Sequence, residues 1–229
     1  MMTPEILHQK QSEITEKIKQ VAQEHNEHYV IDGIINPEKY LRAKHRILWL
    51  LKEPVGSSSW SFIEEFNQKT DWLKKVSRAN VTLRRVIYTS YAILRDSQWS
   101  DIPYANEEEA FECLQEIAYV NIKKSPGDSV SEVDTIQYHY NRNKELLKEQ
   151  IHLCDADVII FGNTLQFYDK ELFEGLLQAE EQRTDWGNVF YDTGKKLYIW
   201  TWHPAVRGAG FNDAEYVMDI ANIVKQWSK

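Results

Sequence analysis

Between residues 4 and 26 apolar side chains recur at helical spacing, at Ile6, Ile14, Ile18 and Val21, with charged residues and glutamines on the other faces. This spacing predicts an amphipathic N-terminal helix packed on the body of the chain, an arm of about residues 1–27. Further along, short continuous apolar runs replace the helical period. Residues 46–51 (Arg-Ile-Leu-Trp-Leu-Leu) stop at Lys52-Glu53-Pro54, residues 117–120 stop at Asn121, and residues 158–161 stop at Gly162-Asn163. Runs of this length bounded by polar or turn residues predict strands buried on both faces, as in a parallel sheet. Residues 188–192 and 196–202 predict two more strands around Asp192-Thr193-Gly194, the second ending at His203-Pro204. Helical spacing covers 60–76, 81–96, 106–116, 131–153, 165–178 and 213–227. Strands that alternate with helices predict an α/β fold, a three-layer α/β/α sandwich around a mostly parallel sheet, in one domain over residues 1–229.

Composition narrows the class. The chain has 229 residues, a formal net charge of −8 and 42% hydrophobic residues. With 8 Trp, 12 Tyr and 8 Phe it carries too much apolar surface for a disordered coil. No apolar run approaches the roughly 18 residues of a membrane span, and Met1-Met2-Thr3-Pro4-Glu5 lacks the features of a secretory signal. Cys113 and Cys154 are the only cysteines, too few for a disulfide framework, a four-cysteine zinc site or an iron–sulfur cluster. They read as buried thiols in a reducing cytoplasm. The acidic balance argues against non-specific binding of nucleic acid by the whole chain. One segment runs the other way: residues 69–85 hold Lys69, Lys74, Lys75, Arg78, Arg84 and Arg85 against Asp71. It reads either as a solvated helix face or as a phosphate-binding strip.

In open α/β sheets ligands bind beyond the carboxyl ends of the strands. The polar residues expected there are Glu53, Asn121, Asn163 and His203. A carboxylate, carboxamides and an imidazole along one rim make a plausible catalytic constellation. Each also has a structural reading: a solvated acid, loop-satisfying asparagines, a Gly-Asn turn, and a hydrogen-bonded histidine fixed by the following proline.

The same segments resemble the uracil-DNA glycosylase superfamily. Three motifs stand in that family's order over about residues 46–208: Leu48-Trp49-Leu50-Leu51-Lys52-Glu53-Pro54-Val55-Gly56; Ala118-Tyr119-Val120-Asn121-Ile122-Lys123-Lys124-Ser125-Pro126-Gly127; and Ile199-Trp200-Thr201-Trp202-His203-Pro204-Ala205. Residues 156–163 resemble the strand-plus-glycine segment between the last two. The resemblance implies the family's α/β/α fold and removal of uracil or a related damaged base from DNA, with neither metal nor cofactor. It places the water-positioning acid at Glu53, the base-reading amide at Asn121 and the imidazole that stabilises the departing base at His203; Asn163, from the strand-end pattern, is a further candidate base contact. Trp60 or Phe62 becomes the stacking ring. Apart from the resemblance, Lys123, Lys124 and Arg207 lie in expected rim loops and are candidate phosphate contacts. The chain departs from the family where Leu51-Lys52 replaces a glycine-containing start and Ala205-Val206-Arg207 replaces the loop that carries an apolar wedge. Without that wedge single-stranded DNA is an easier substrate than duplex. Two alternatives stay open: a module that binds a nucleobase or nucleotide without cleavage, and a hydrolase of small nucleosides.

Overall fold

The computed structural model describes residues 2–68, 70–128, 130–208 and 211–228. In chain order the elements are α1 (Pro4–Glu24), β1 (Val30–Ile31), β2 (Gly33–Ile34), α2 (Pro37–Arg42), β3 (Ile47–Leu51), β4 (Trp60–Ser61), α3 (Phe62–Gln68), α4 (Thr70–Val76), α5 (Val81–Arg95), α6 (Glu108–Phe111), β5 (Ile117–Asn121), α7 (Val133–Cys154), β6 (Val158–Gly162), β7 (Glu181–Arg183), β8 (Val189–Asp192), β9 (Leu197–Thr201) and α8 (Asp213–Trp227). The main sheet has the order β2-β5-β3-β6-β9-β8-β7. Its centre, β5, β3, β6 and β9, is parallel. The edges are antiparallel: β2 against β5 on one side, β8 and β7 beyond β9 on the other. β1 and β4 form a separate parallel pair.

Strand pleating divides the apolar runs between two cores. Ile47, Trp49 and Leu51 enter one cluster with Phe66, Leu73, Ile87 and Val217, from α3, α4, α5 and α8. Leu48 and Leu50 enter the other with Leu7, Tyr40 and Leu147, from α1, α2 and α7. Successive residues of a strand face opposite sides, so a strand covered on both sides must be apolar throughout. This is why the central strands read as unbroken runs.

Three expectations change. Residues 60–76 are not one helix: Trp60–Ser61 pairs with β1 before α3 and α4 begin. Residues 106–116 form only a short α6 followed by a 3₁₀ segment over Glu112–Glu116. Residues 165–178 form no α-helix, only 3₁₀ turns at Leu165–Phe167 and Lys170–Leu172. There Tyr168 and Phe173 turn inward against Phe161, with ring centroids 6.0 and 4.9 Å away, and Gly175 takes a positive φ of 76° that ends any helical path. The short β1, β2, β7 and α2 were not foreseen, because two- and three-residue strands leave no readable period. Both cysteines are buried, and burial raises both thiols, Cys154 to about 12. Among the described residues no helix is long and apolar enough to cross a membrane.

Candidate functional site

The parallel strands deliver their carboxyl ends to one side of the sheet, and a cavity of about 370 Å³ opens there. β3 sends Leu51, Glu53 and Pro54 to it, and the segment after β9 sends His203 and Ala205. Trp60, Phe62, Phe66, Trp72 and Tyr119 supply its aromatic walls. The rings of Trp60 and Phe62 lie 4.3 Å apart between centroids, and those of Phe62 and Tyr119 4.5 Å. Asn80, Thr82, Asp128 and Ser131 add polar groups. Asn80 is also the N-cap of α5, accepting the Leu83 N–H at 3.0 Å.

Glu53 and His203 therefore share one cavity, together with both expected stacking rings, Trp60 and Phe62. The Glu53 side chain is 5% exposed and its Oε2 lies 3.0 Å from Lys123 Nζ. Gly127 packs directly over this pair: a Cβ there would lie 1.9 Å from Glu53 Oε2 and 2.8 Å from Lys123 Nζ. The loop carrying Gly127 is tied to the Glu53 loop through Gly127 N–H donating to Pro54 O (2.8 Å). The imidazole of His203 accepts the Ala205 N–H on Nδ1 at 3.1 Å, which leaves its proton on Nε2. Burial, reinforced by the Lys52 ammonium, lowers its pKa to about 4, so the ring is neutral near pH 7.

The remaining expected contacts are placed elsewhere. Asn121 is 1% exposed and does not line the cavity. Its backbone N–H donates to Asp32 Oδ2 at 2.7 Å, with its side-chain amide 3.4 Å from the same atom. Lys124 is not a surface phosphate contact: its side chain is 2% exposed and its Nζ donates to Asp32 Oδ1 at 2.6 Å. Gln150 donates to the same oxygen at 3.0 Å. Burial lowers the Lys124 pKa, opposed by the Asp32 charge. Lys123 is committed to Glu53. Asn163 serves a turn, with φ 58° and its N–H donating to Phe161 O and Thr201 O. Arg207 is exposed on the loop after His203.

Three residues of the basic strip are engaged in ion pairs. Arg84 and Arg85 both bond Asp213, at 2.6 and 2.8 Å, and Lys74 lies 3.4 Å from Glu108. Lys69 lies outside the described residues. A second, larger cavity of about 560 Å³ lies between α1 and α3, with Trp60 in its wall too. Two of its amides are already engaged, Gln11 with Asp32 O and Ile34 N–H, Asn67 with Ile35 O. Among the described residues no group of three or more His, Cys, Asp or Glu is placed to hold a metal ion. The sequence reading assigned Gly127, Tyr119 and Trp72 no role in the site and counted Arg85 only within the basic segment. Only Gly127 left a signal, as the end of the turn-forming Ser125-Pro126-Gly127.

A second ionisable group, His139 of α7, is 6% exposed and feels the charges of the Glu53–Lys123 pair. Burial first, then the positive charges of Arg142 and Lys123, hold its pKa to about 4, against the opposing pull of Glu27 and Glu53. Both His139 and His203 thus bind protons more weakly folded than unfolded. Stability is expected to hold above about pH 6.5 and to fall between about pH 6.5 and 4, as the unfolded chain takes up protons that the native state refuses. Glu27, kept at about 2 chiefly by its bond from Arg142, adds a loss only in stronger acid. Urea unfolding across this range tests it: His139→Gln is expected to flatten the slope, and a slope equal to the parent's refutes the assignment. Searched against protein-family models the chain matches none, and no curated protein matches it.

Proposed function

We propose that the chain is an N-glycosidic hydrolase of the uracil-DNA glycosylase type, built as a three-layer α/β/α sandwich, that releases a base from DNA. One observation carries this reading: a carboxylate, Glu53, and a neutral imidazole, His203, line one aromatic cavity at the carboxyl ends of parallel strands. Breaking the C1′–N bond sends its electron pair into the base and leaves positive charge on the sugar. Glu53 stabilises that charge and orients a water whose oxygen bonds C1′ as one of its protons passes to the carboxylate and from there to solvent. The Nε2–H of His203 donates to the charge growing on the base. Trp60 and Phe62 provide the slot for a base taken out of the stack. Exposed Arg207 and half-exposed Trp202, beside His203 in sequence, suit a single strand better than a duplex.

The test is a labelled single-stranded oligonucleotide carrying one uracil, incubated with protein and then cleaved by alkali. The parent is expected to release base, and Glu53→Gln and His203→Ala to lose about 10²-fold in rate while remaining folded. Gly127→Ala, whose new methyl would first meet the carboxylate of Glu53 and the ammonium of Lys123, is expected to displace that pair and to follow Glu53→Gln in activity. Full activity in all three variants removes the role assignment.

A base-binding module without cleavage is the second reading. It is favoured by the Lys123 ammonium against Glu53, which offsets the carboxylate's charge, and by the inward turn of Asn121. It predicts saturable binding of free uracil with no base release.

A further inference from the structure

We infer that Arg85 is a positioning residue for His203, acting through the Pro204–Ala205 peptide group to hold the imidazole as the neutral Nε2–H tautomer. Arg85 sits on α5, outside the cavity, with its side chain 3% exposed. Its guanidinium makes four hydrogen bonds to the segment that follows His203. Nε donates to Asp213 Oδ1 at 2.8 Å, Nη1 to Pro204 O at 3.0 Å and Val206 O at 2.7 Å, and Nη2 to Phe211 O at 2.9 Å. Its carbon lies 5.0 Å from the centroid of the Tyr216 ring. Asp213 is held in turn by Arg84.

The path to His203 is one peptide unit long. Val206 N–H donates to His203 O at 2.8 Å and closes a turn with Pro204 in its second position, where the fixed proline φ fits. The oxygen of Pro204 and the N–H of Ala205 belong to the same planar trans peptide, so they point in opposite directions. Arg85 grips the oxygen end. The N–H end donates to His203 Nδ1. A cation on the oxygen polarises the N–H, as in any hydrogen-bonded chain. An Nδ1 that accepts carries no proton, and adding one sets two N–H groups against each other. The other charges around the ring are Lys52, which also opposes protonation, and Glu53, Glu65 and Asp128 on the cavity walls. Arg85 thereby orients the Nε2–H donor without touching a ligand. Lysine cannot replace it, since one ammonium lacks the planar fork that reaches four acceptors.

The catalytic meaning of this rests on the hydrolase reading; the tautomer does not, so the experiment reads it directly. The full chain with ¹⁵N-labelled histidine is titrated by NMR, with His203→Ala assigning the resonances. The parent is expected to show the Nε2–H form at neutral pH. Arg85→Lys is expected to mix the two tautomers and to raise the His203 titration midpoint by about one pH unit, a tenfold gain in proton affinity. In the oligonucleotide assay it is expected to lower kcat more than it raises KM. If Arg85→Lys does not fold, Asp213→Asn, which leaves the guanidinium and weakens its anchor, is expected to shift the midpoint in the same direction by less. A folded variant with the parent's tautomer and midpoint overturns the inference, even if the parent releases base. A tautomer shift in a protein that releases no base leaves the inference standing and removes the hydrolase reading.

Discussion

Lys124→Met is expected to cost about 3–5 kcal/mol of folding free energy, because it strands a buried charge. Its partner Asp32 is 1% exposed, and Lys124 is its only ion-pair partner among the described residues. The remaining donors to the Asp32 carboxylate, the Asn121 backbone N–H and side-chain amide and Gln150 Nε2, are neutral and cannot replace a cation. The loss reaches the site, since Asp32 pins the end of β5 and the turn that follows, from which Lys123 extends to Glu53. Asp32→Asn combined with Lys124→Met removes both charges and keeps a carbonyl acceptor, so it is expected to recover more than half of the loss. Urea unfolding of the three variants measures this. A single-variant loss under about 1 kcal/mol means that the pair is solvated and the network is not structural.

Trp49→Ala is the other large effect, again about 3–5 kcal/mol. Trp49 is fully buried at the centre of β3, between β5 and β6, and its Nε1–H donates to Ser90 Oγ on α5 at 3.1 Å. Alanine leaves a void that the sheet cannot close, because both neighbouring strands are hydrogen-bonded to β3 along its length. It also leaves the hydroxyl of Ser90, 0% exposed, without its donor. Trp49→Phe keeps most of the volume and is expected to lose about half as much. Denaturation midpoints decide between this and a loosely packed centre, in which the two variants come out equal.

The buried strands were legible because a sheet covered on both faces demands apolar side chains at every position. Residues 46–51, 117–120 and 158–161 met that demand and ended within one residue of β3, β5 and β6. From the strand ends it followed that Glu53 and His203 stand on the same rim. Helix 165–178 was misread because aromatic residues at helical spacing satisfy an irregular segment equally well when their rings have Phe161 and Tyr198 to pack against. Lys124 was misread because a charged residue after a strand looks solvent-facing until a carboxylate 92 positions earlier is brought beneath it.

What the chain by itself determined is the order of the central strands and of the long helices α1, α5, α7 and α8, the parallel core, and the strand-end position of Glu53 and His203, all consequences of local pattern. The tertiary structure alone decided which of those polar groups face the cavity. Asn121 and Asn163 sit at strand ends as clearly as Glu53 does, but Asp32 draws one inward and a left-handed turn takes the other. Side-chain direction at a strand end depends on charges and carbonyls contributed from distant segments. The same holds for Arg85, whose role arises only when α5 meets the loop after β9, more than a hundred residues away in sequence. Local periodicity carries no record of such partners, because the energy that selects them is the cost of leaving a buried charge or carbonyl unpaired.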